Sequence, residues 1–246
     1  MIVGFVGSGN MAAAMARGLR GAVGSMLFTD SGSGRAARLA AELGGESVAS
    51  NRDLAARADV VVLAVKPAKL AQAAAELSEA KVVVSLLGAT SLEAVRAAFP
   101  GAEVVRVMPN VGVEVRKGVL CLAGEPDAEL RGVLEQLGHV VDLPDAQFDT
   151  ATAVMGCAPA YLALAVEAIA DAGAADGLEP GLAHELVVET AAGTAELLRS
   201  HEPAALRKAV ASPGGSTEAG LEALDREGAR EAFEAAVRAS LERMRR

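Results

Sequence analysis

The chain has little aromatic character and no excess of positive charge. Among its 246 residues there is no tryptophan, one tyrosine and five phenylalanines, whereas 52% of the residues are hydrophobic. The core must therefore be built from alanine, valine and leucine. The formal net charge of −9 argues against a nucleic-acid surface or an anionic membrane as the partner of this protein.

Cysteine and histidine are also scarce. The two cysteines, Cys121 and Cys157, stand alone, and the three histidines are scattered without the spacing of metal ligands. We therefore expect reduced thiols, a cytoplasmic location and no bound metal. The apolar N-terminus lacks the basic region of a signal peptide, and no apolar run approaches the ~20 residues of a membrane span.

The N-terminal segment has the pattern of a strand, a tight turn and a helix. Residues 2–6 form an apolar run typical of a strand buried on both faces, and Gly7-Ser8-Gly9 leads into an alanine-rich helix. The G-x-G-x-x-A pattern is a dinucleotide-binding fingerprint in its expected context. Gly7 permits the turn, Gly9 lets the backbone approach a pyrophosphate, and Ala12 keeps the helix close to the strand.

The end of the second predicted strand, residues 26–30, gives two conflicting indications about the cofactor. Asp30 stands where this fold selects the ribose, and a carboxylate there favours a 2′-hydroxyl and hence NAD. The loop that follows contains Ser31, Ser33 and Arg35, which suit a 2′-phosphate and hence NADP. Alternatively, Asp30 caps the helix that comes next.

Strand and helix patterns alternate through the first part of the chain. The strongest strand signal, residues 59–65, ends at Lys66-Pro67, which places these residues where an open parallel sheet binds ligands. The alternation predicts right-handed βαβ units and a Rossmann-type doubly wound sheet. The predicted strands are residues 2–6, 26–30, 47–49, 59–65, 82–87, 104–107, 119–123 and 139–143, the last two at the sheet edge.

From about residue 146 the strand signals stop, and the remainder is predicted to be all helical. We therefore expect a dinucleotide-binding domain over residues 1–146 and a helical domain over residues 147–246. The predicted helices of the second domain have wide apolar faces, so a second subunit is expected to cover them. These helices are residues 158–176, 180–199, 203–211, 217–226 and 229–243.

One turn in the helical region has the composition of an anion site. Ser212-Pro213-Gly214-Gly215 leads into Ser216-Thr217 and a helix, which together offer free N–H groups, two hydroxyls and the positive end of a helix dipole. A helix–helix turn with an ordinary Ser/Thr cap explains the same residues equally well.

With these motifs in place, the chain resembles the pyrroline-5-carboxylate reductase family over nearly its whole length. The most specific motif is the SPGGST turn, because it belongs to the helical domain of that family. The motifs that carry the resemblance are GFVGSGNMAAAMARGL at the N-terminus, LAVKP at residues 63–67, VMPN at 107–110, GCAPAYLAL at 156–164 and SPGGST at 212–217.

The resemblance implies a Rossmann domain, a helical dimerisation domain and hydride transfer from NADPH, with NADH possible, to the C=N carbon of Δ1-pyrroline-5-carboxylate. A homodimer or a higher homo-oligomer is expected. The turn at Gly214, Gly215, Ser216 and Thr217 would hold the substrate carboxylate, and Lys66 and Thr217 are the catalytic candidates. The residues expected to bind the cofactor are Gly7, Ser8, Gly9, Asn10, Met11, Ser31, Ser33, Arg35, Asn51, Ala64, Val65, Lys66, Pro67 and Asn110.

The chain departs from the family pattern at several positions, which leaves other functions open. They are Val111, Gly112, Met155, Cys157 and Lys208. A related imine reductase with another cyclic imino acid as substrate is one alternative. A 3-hydroxyacid dehydrogenase and a cofactor-binding regulatory protein without turnover are disfavoured, the first because residues 159–176 contain no lysine. Tyr161 is expected to be a packed aromatic residue with its hydroxyl hydrogen-bonded.

Overall fold

Short apolar runs form most of the strands of one eight-stranded sheet. The structure, a computed structural model, describes residues 1–245. The strands are β1 (Ile2–Val6), β2 (Ser25–Thr29), β3 (Glu46–Ser47), β4 (Val60–Leu63), β5 (Val82–Ser85), β6 (Glu103–Pro109), β7 (Gly118–Ala123) and β8 (Gly138–Asp142).

The strand order is β3-β2-β1-β4-β5-β6-β7-β8. All neighbouring pairs are parallel except β6 and β7, which are antiparallel. This order reverses direction between β1 and β4, and such a switch point is where doubly wound sheets bind ligands. The Rossmann-type sheet predicted from the sequence is confirmed, and β7 and β8 extend its edge beyond β6.

Helices connect the strands and cover the sheet. They are α1 (Asn10–Gly18), α2 (Arg35–Leu43), α3 (Asn51–Arg57), α4 (Leu70–Glu76), α5 (Leu92–Ala98) and α6 (Ala128–Glu135). Alternate strand residues point to opposite faces, so Val60 and Val62 pack in one apolar cluster while Val61 and Leu63 pack in a second. In the first cluster the rings of Phe5 and Phe28 stack with their centroids 5.4 Å apart.

Between residues 145 and 245 the chain consists of helices and the turns that connect them, as predicted. The helices are α7 (Phe148–Ala151), α8 (Ala158–Ala175), α9 (Pro180–Leu197), α10 (Pro203–Val210), α11 (Ser216–Arg226) and α12 (Ala229–Met244). Contacts divide the chain into two compact units, Met1–Gly156 with the last residues from Leu241, and Cys157–Ser240. The domain boundary after residue 146 stays a prediction.

The sequence patterns missed two features of the backbone. After β4 the chain first forms a 3₁₀ turn, Pro67–Lys69, before α4 begins. The stretch after β8, which carried no predicted element, is helical throughout: a 3₁₀ turn at Asp145–Gln147, then α7, then a π-helical turn at Thr152–Gly156. Such short, changing helix types leave no sustained 3.6-residue period in the sequence.

One helical stretch, Asp145–Ala175, is long and apolar enough by length and composition to cross a membrane. This differs from the expectation that no apolar run approaches that length, because residues 150–166 carry no charge. Only 11% of its most apolar window is buried inside the chain. In α8 the one buried residue is Ala170, and in α9 it is Ala183. Two long apolar helices therefore present uncovered faces.

Ala89, in the loop that follows β5, has a left-handed backbone with φ of 50°. A side chain with a Cβ is strained in this region, at a cost of roughly 1–2 kcal/mol. We expect Ala89→Gly to raise the free energy of unfolding by about 0.5–1 kcal/mol, because relief of strain exceeds the entropy that glycine adds to the unfolded chain. Urea denaturation measures the change.

The matched control is Ala97→Gly on the exposed side of α5, which should lower stability by about 1 kcal/mol because glycine is a poor helix former. Equal losses in the two variants would show that Ala89 is not strained in solution.

Candidate functional site

A cleft of about 620 Å³ opens at the carboxyl ends of β1, β2 and β4, at the switch point of the sheet. Ten residues predicted to bind a cofactor line this one cleft. They are Gly7, Ser8, Gly9, Ser31, Ser33, Arg35, Asn51, Ala64, Val65 and Lys66.

The glycine-rich turn after β1 packs tightly on one side and is open on the other. Gly7 has φ of 93°, and a Cβ there would lie 2.6 Å from the carbonyl oxygen of Ala64. A Cβ on Gly9 would meet no atom within 4 Å. Gly9 precedes α1 with no side-chain cap, so the first N–H groups of the helix have no side-chain partner from that position. The open space and free donors fit a pyrophosphate.

The Asp30 carboxylate is fully engaged by its own loop. Oδ1 accepts hydrogen bonds from the N–H groups of Gly32 (2.7 Å) and Ser33 (3.1 Å). Oδ2 accepts from the N–H of Ala36 (2.8 Å) and the hydroxyl of Ser33 (3.0 Å). These donors, the Ala36 N–H foremost, hold the pKa of Asp30 below its usual value. The structure thus selects the capping role among the alternatives left open by the sequence.

A chain of polar side chains crosses the cleft floor, and part of it was missed from the sequence. The Thr29 hydroxyl donates to Asn51 Oδ1 (2.6 Å), and Asn51 Nδ2 donates to Glu76 Oε2 (2.6 Å). Gln72 donates to the other oxygen of Glu76 (3.1 Å), and Lys69 donates to Gln72 (3.1 Å). The hydrogen bonds from Gln72 and Asn51 lower the pKa of Glu76. The only signal for this chain in the sequence was the spacing of Lys69, Gln72 and Glu76, which places them on one face of α4 and the turn before it.

Four predicted cofactor residues do not line this cleft: Asn10, Met11, Pro67 and Asn110. Asn10 lines an adjoining cleft of about 450 Å³ together with Val111, one of the departures from the family pattern. The Asn110 side chain is occupied locally. Its Oδ1 accepts from the N–H groups of Gly112 and Val119, and its Nδ2 donates to the Met155 carbonyl.

In the second unit, the predicted anion turn precedes α11. Gly214 has φ of 71°, and the Gly215 N–H donates to the Ser212 carbonyl at 2.9 Å. No side chain caps α11 from the Gly215 position. A carboxylate already lies at this turn, because the Gly214 N–H donates to Glu218 Oε2 at 2.6 Å. The turn therefore binds a carboxylate of its own chain.

Two other residues that the sequence analysis named, Tyr161 and Cys121, have surroundings typical of structural rather than reactive side chains. The Tyr161 hydroxyl lies 2.5 Å from the Ser240 hydroxyl, which leaves it hydrogen-bonded as expected. Burial raises the pKa of the Cys121 thiol, which disfavours the reactive thiolate. Among residues 1–245, no group of three or more histidine, cysteine or acidic side chains is arranged to hold a metal.

Two protein-family models match separate parts of the chain. The model described as NADP oxidoreductase coenzyme F420-dependent matches residues 2–88, and pyrroline-5-carboxylate reductase dimerisation matches residues 145–246. Pyrroline-5-carboxylate reductase from Synechocystis sp. is 38% identical over 204 residues, covering 78% of this chain and 76% of the relative.

Solved structures are similar over the full length. A 1-pyrroline-5-carboxylate reductase from Streptococcus pyogenes superposes with a TM-score of 0.89 at 29% identity, covering 99% of this chain and 98% of the other. A pyrroline carboxylate reductase from Plasmodium falciparum, solved with NADP bound, gives a TM-score of 0.88 at 25% identity, covering 99% and 97%.

Proposed function

Because the chain belongs to the pyrroline-5-carboxylate reductase family, we propose that it reduces Δ1-pyrroline-5-carboxylate to L-proline with NADPH as the hydride donor. The observation that carries this proposal is the cleft at the sheet switch point, where ten residues expected at a dinucleotide meet. The chain is therefore an oxidoreductase acting on a C=N bond in proline biosynthesis.

The residues of the cleft suit each part of NADPH. The open face of Gly9 and the first N–H groups of α1 would hold the pyrophosphate. Ser31, Ser33 and Arg35 would surround the 2′-phosphate, and Lys66 would lie beside the nicotinamide and its ribose. The nicotinamide, when bound, supplies the hydride.

The substrate is a cyclic imine with a carboxylate, so recognition needs an anion site and a way to hold a cationic C=N group in place. In this proposal the turn at residues 214–217 holds the carboxylate through backbone N–H groups and the Thr217 hydroxyl. A protonated imine is already a strong electrophile, so the chain's main contribution to the rate is to position it. Asn51 would lie near the adenosine ribose.

The protein acts as a homo-oligomer in this proposal, with a homodimer as its unit. The uncovered faces of α8 and α9 support it, since each 18-residue helix buries a single residue within its own chain. The match to the dimerisation model spans both helices. A cytoplasmic location is proposed on the biosynthetic role alone.

The direct test is oxidation of NADPH by purified protein, followed by absorbance, with pyrroline-5-carboxylate beside a panel of other cyclic imino acids and with NADH in parallel. Turnover that is fastest on pyrroline-5-carboxylate supports the proposal. Absent turnover on that substrate with turnover on another imino acid would instead favour a related imine reductase, whose site has been altered around Val111 and Met155.

We expect Thr217→Ala to raise the KM for pyrroline-5-carboxylate by about ten- to 100-fold, which corresponds to the loss of one hydrogen bond to a charged group. The KM for NADPH should stay the same, because Thr217 belongs to the substrate turn in this proposal. Steady-state kinetics with each substrate varied in turn measure both constants.

Glu218→Gln provides a control of opposite direction at the same turn. Its carboxylate accepts from Gly214 and would repel an incoming carboxylate, so the neutral variant should lower the same KM by about two- to fivefold. Glutamine keeps a cap for the Gly214 N–H. An unchanged KM in both variants would remove this turn from the substrate site.

A further inference from the structure

Asp30 is the acidic residue that follows β2, a position at which Rossmann folds commonly bind the ribose 2′-hydroxyl of NAD. An acidic residue there predicts preference for NADH, since a carboxylate repels a 2′-phosphate. The hydrogen bonds of this carboxylate indicate the opposite.

Both oxygens of Asp30 are already saturated. A carboxylate has about four acceptor sites, and here four donors occupy them: the N–H groups of Gly32, Ser33 and Ala36 and the Ser33 hydroxyl. No acceptor site is left for a ribose hydroxyl. The negative charge is also offset by these donors and by the N-terminus of α2, so its repulsion of a nearby phosphate is weakened.

Within residues 1–245, Asp30 is the one side chain that accepts hydrogen bonds from the loop between β2 and α2. Residues 31–35 are all exposed, and a Cβ on Gly32 or on Gly34 would touch nothing within 4 Å. Both glycines have left-handed backbones, with φ of 91° and 72°. A loop with such freedom and no apolar packing is ordered only if hydrogen bonds offset the lost entropy, and Asp30 receives four of them.

The side chains that this loop presents are those suited to a phosphate. Ser31 and Arg35 line the cleft, and Ser33 lines it as well but donates its one hydroxyl hydrogen to Asp30. Within the described residues 1–245, Arg35 forms no ion pair with a carboxylate of the chain, so its guanidinium is available. A guanidinium is the side chain best matched to a phosphate.

We propose that Asp30 is a positioning residue for the cofactor 2′-phosphate. By holding residues 31–36 in place, it favours NADPH, although an acidic residue at this position usually indicates NADH. The inference takes from the proposed function only that the cofactor is NADPH, and it does not depend on which imine is the substrate. It also explains how an acidic residue at the end of β2 and a phosphate-binding loop occur in one chain.

The test compares adenosine 2′,5′-bisphosphate with adenosine 5′-monophosphate, which differ only in the 2′-phosphate, by isothermal titration calorimetry on the full chain. Asp30→Ala should weaken the bisphosphate about tenfold, close to the effect of one lost charge-assisted hydrogen bond, and the monophosphate by less than about twofold. Asp30→Asn keeps one acceptor oxygen for Gly32 and Ser33, so it should restore part of the affinity.

Two reference variants define the scale. Arg35→Ala should weaken the bisphosphate selectively, because it removes the direct contact. Asp127→Ala removes a comparable cap, the carboxylate that accepts from the Leu130 N–H at 2.8 Å at the start of α6. This variant should lower the melting temperature without changing the affinity ratio of the two nucleotides.

Tighter binding of the bisphosphate by Asp30→Ala would overturn the proposal, because it would show that the carboxylate repels the phosphate. Equal weakening of both nucleotides would overturn it as well, since Asp30 would then only support the fold. Neither probe is reduced or oxidised, so absence of pyrroline-5-carboxylate turnover would contradict the proposed function and leave this result standing.

Discussion

Gly9→Val should fold like the parent protein and lose NADPH affinity by about 100-fold. A Cβ at Gly9 would meet no atom of the chain within 4 Å, so the native structure accommodates it. In the proposed function the backbone approaches the pyrophosphate through the same space, and a displacement of about 1 Å at such a contact can cost two orders of magnitude. Gly7 cannot serve for this test, because a Cβ there would clash with the Ala64 carbonyl.

NADPH fluorescence titration measures the affinity, and urea denaturation confirms that the fold is intact. The matched control is Gly132→Val in α6, where a Cβ would likewise meet no atom within 4 Å but which lies outside the cleft. It should keep both affinity and activity. Gly9→Val with the parent's affinity would place the pyrophosphate elsewhere and would remove the basis for assigning the N-terminal turn to the cofactor.

The use of a dinucleotide cofactor could be predicted from the sequence, because the turn that indicates it is formed by residues that are neighbours in the chain. The turn from β1 to α1 needs a glycine with positive φ at position 7 and an open position 9, and those requirements appear directly in the residues. The sheet was predictable for a similar reason. Strands buried on both faces are continuous apolar runs, such as residues 60–63.

What the sequence could not predict depends on contacts between distant residues. Glu76 lines the cleft, where it accepts a hydrogen bond from Asn51, 25 residues away. The role of Asp30 could not be settled either, since a cap and a ribose ligand require the same residue at the same position. The four hydrogen bonds to its oxygens can be seen only when the backbone conformation of the loop is known. The assignment of residues 214–217 to the substrate remains a prediction, which the KM measurements on the Thr217 and Glu218 variants test.

The ion pair between Arg106 on β6 and Asp145 is a further contact of this kind, and breaking it should have the largest effect on stability. Arg106 is 4% exposed, and its Nη1 lies 2.8 Å from Asp145 Oδ1. The guanidinium is also stacked 4.5 Å from the centre of the Phe148 ring. The other Asp145 oxygen accepts from the Leu92 N–H at 3.0 Å. One carboxylate thus connects β6, the start of α5 and the helical stretch after β8.

Asp145→Ala should lower the free energy of unfolding by about 3 kcal/mol, because it leaves a buried guanidinium without its counter-charge. Urea denaturation measures the loss. Asp142→Ala is the matched control: its partner Arg131 is more exposed, so the same change should cost less than about 1 kcal/mol. Similar losses in the two variants would mean that water reaches Arg106 once Asp145 is gone.

A second substitution shows how much of the stability loss in Asp145→Ala comes from the unpaired guanidinium and how much from the lost contacts of Asp145. If the cost of Asp145→Ala comes mainly from the unpaired guanidinium, then Arg106→Met in the same chain should recover most of it, because methionine fills a similar volume without a charge. Arg106 Nε is already buried without a hydrogen-bond partner, so removing the guanidinium also removes that penalty. A double variant no more stable than Asp145→Ala would instead assign the loss to the Leu92 cap and to the packing against Phe148.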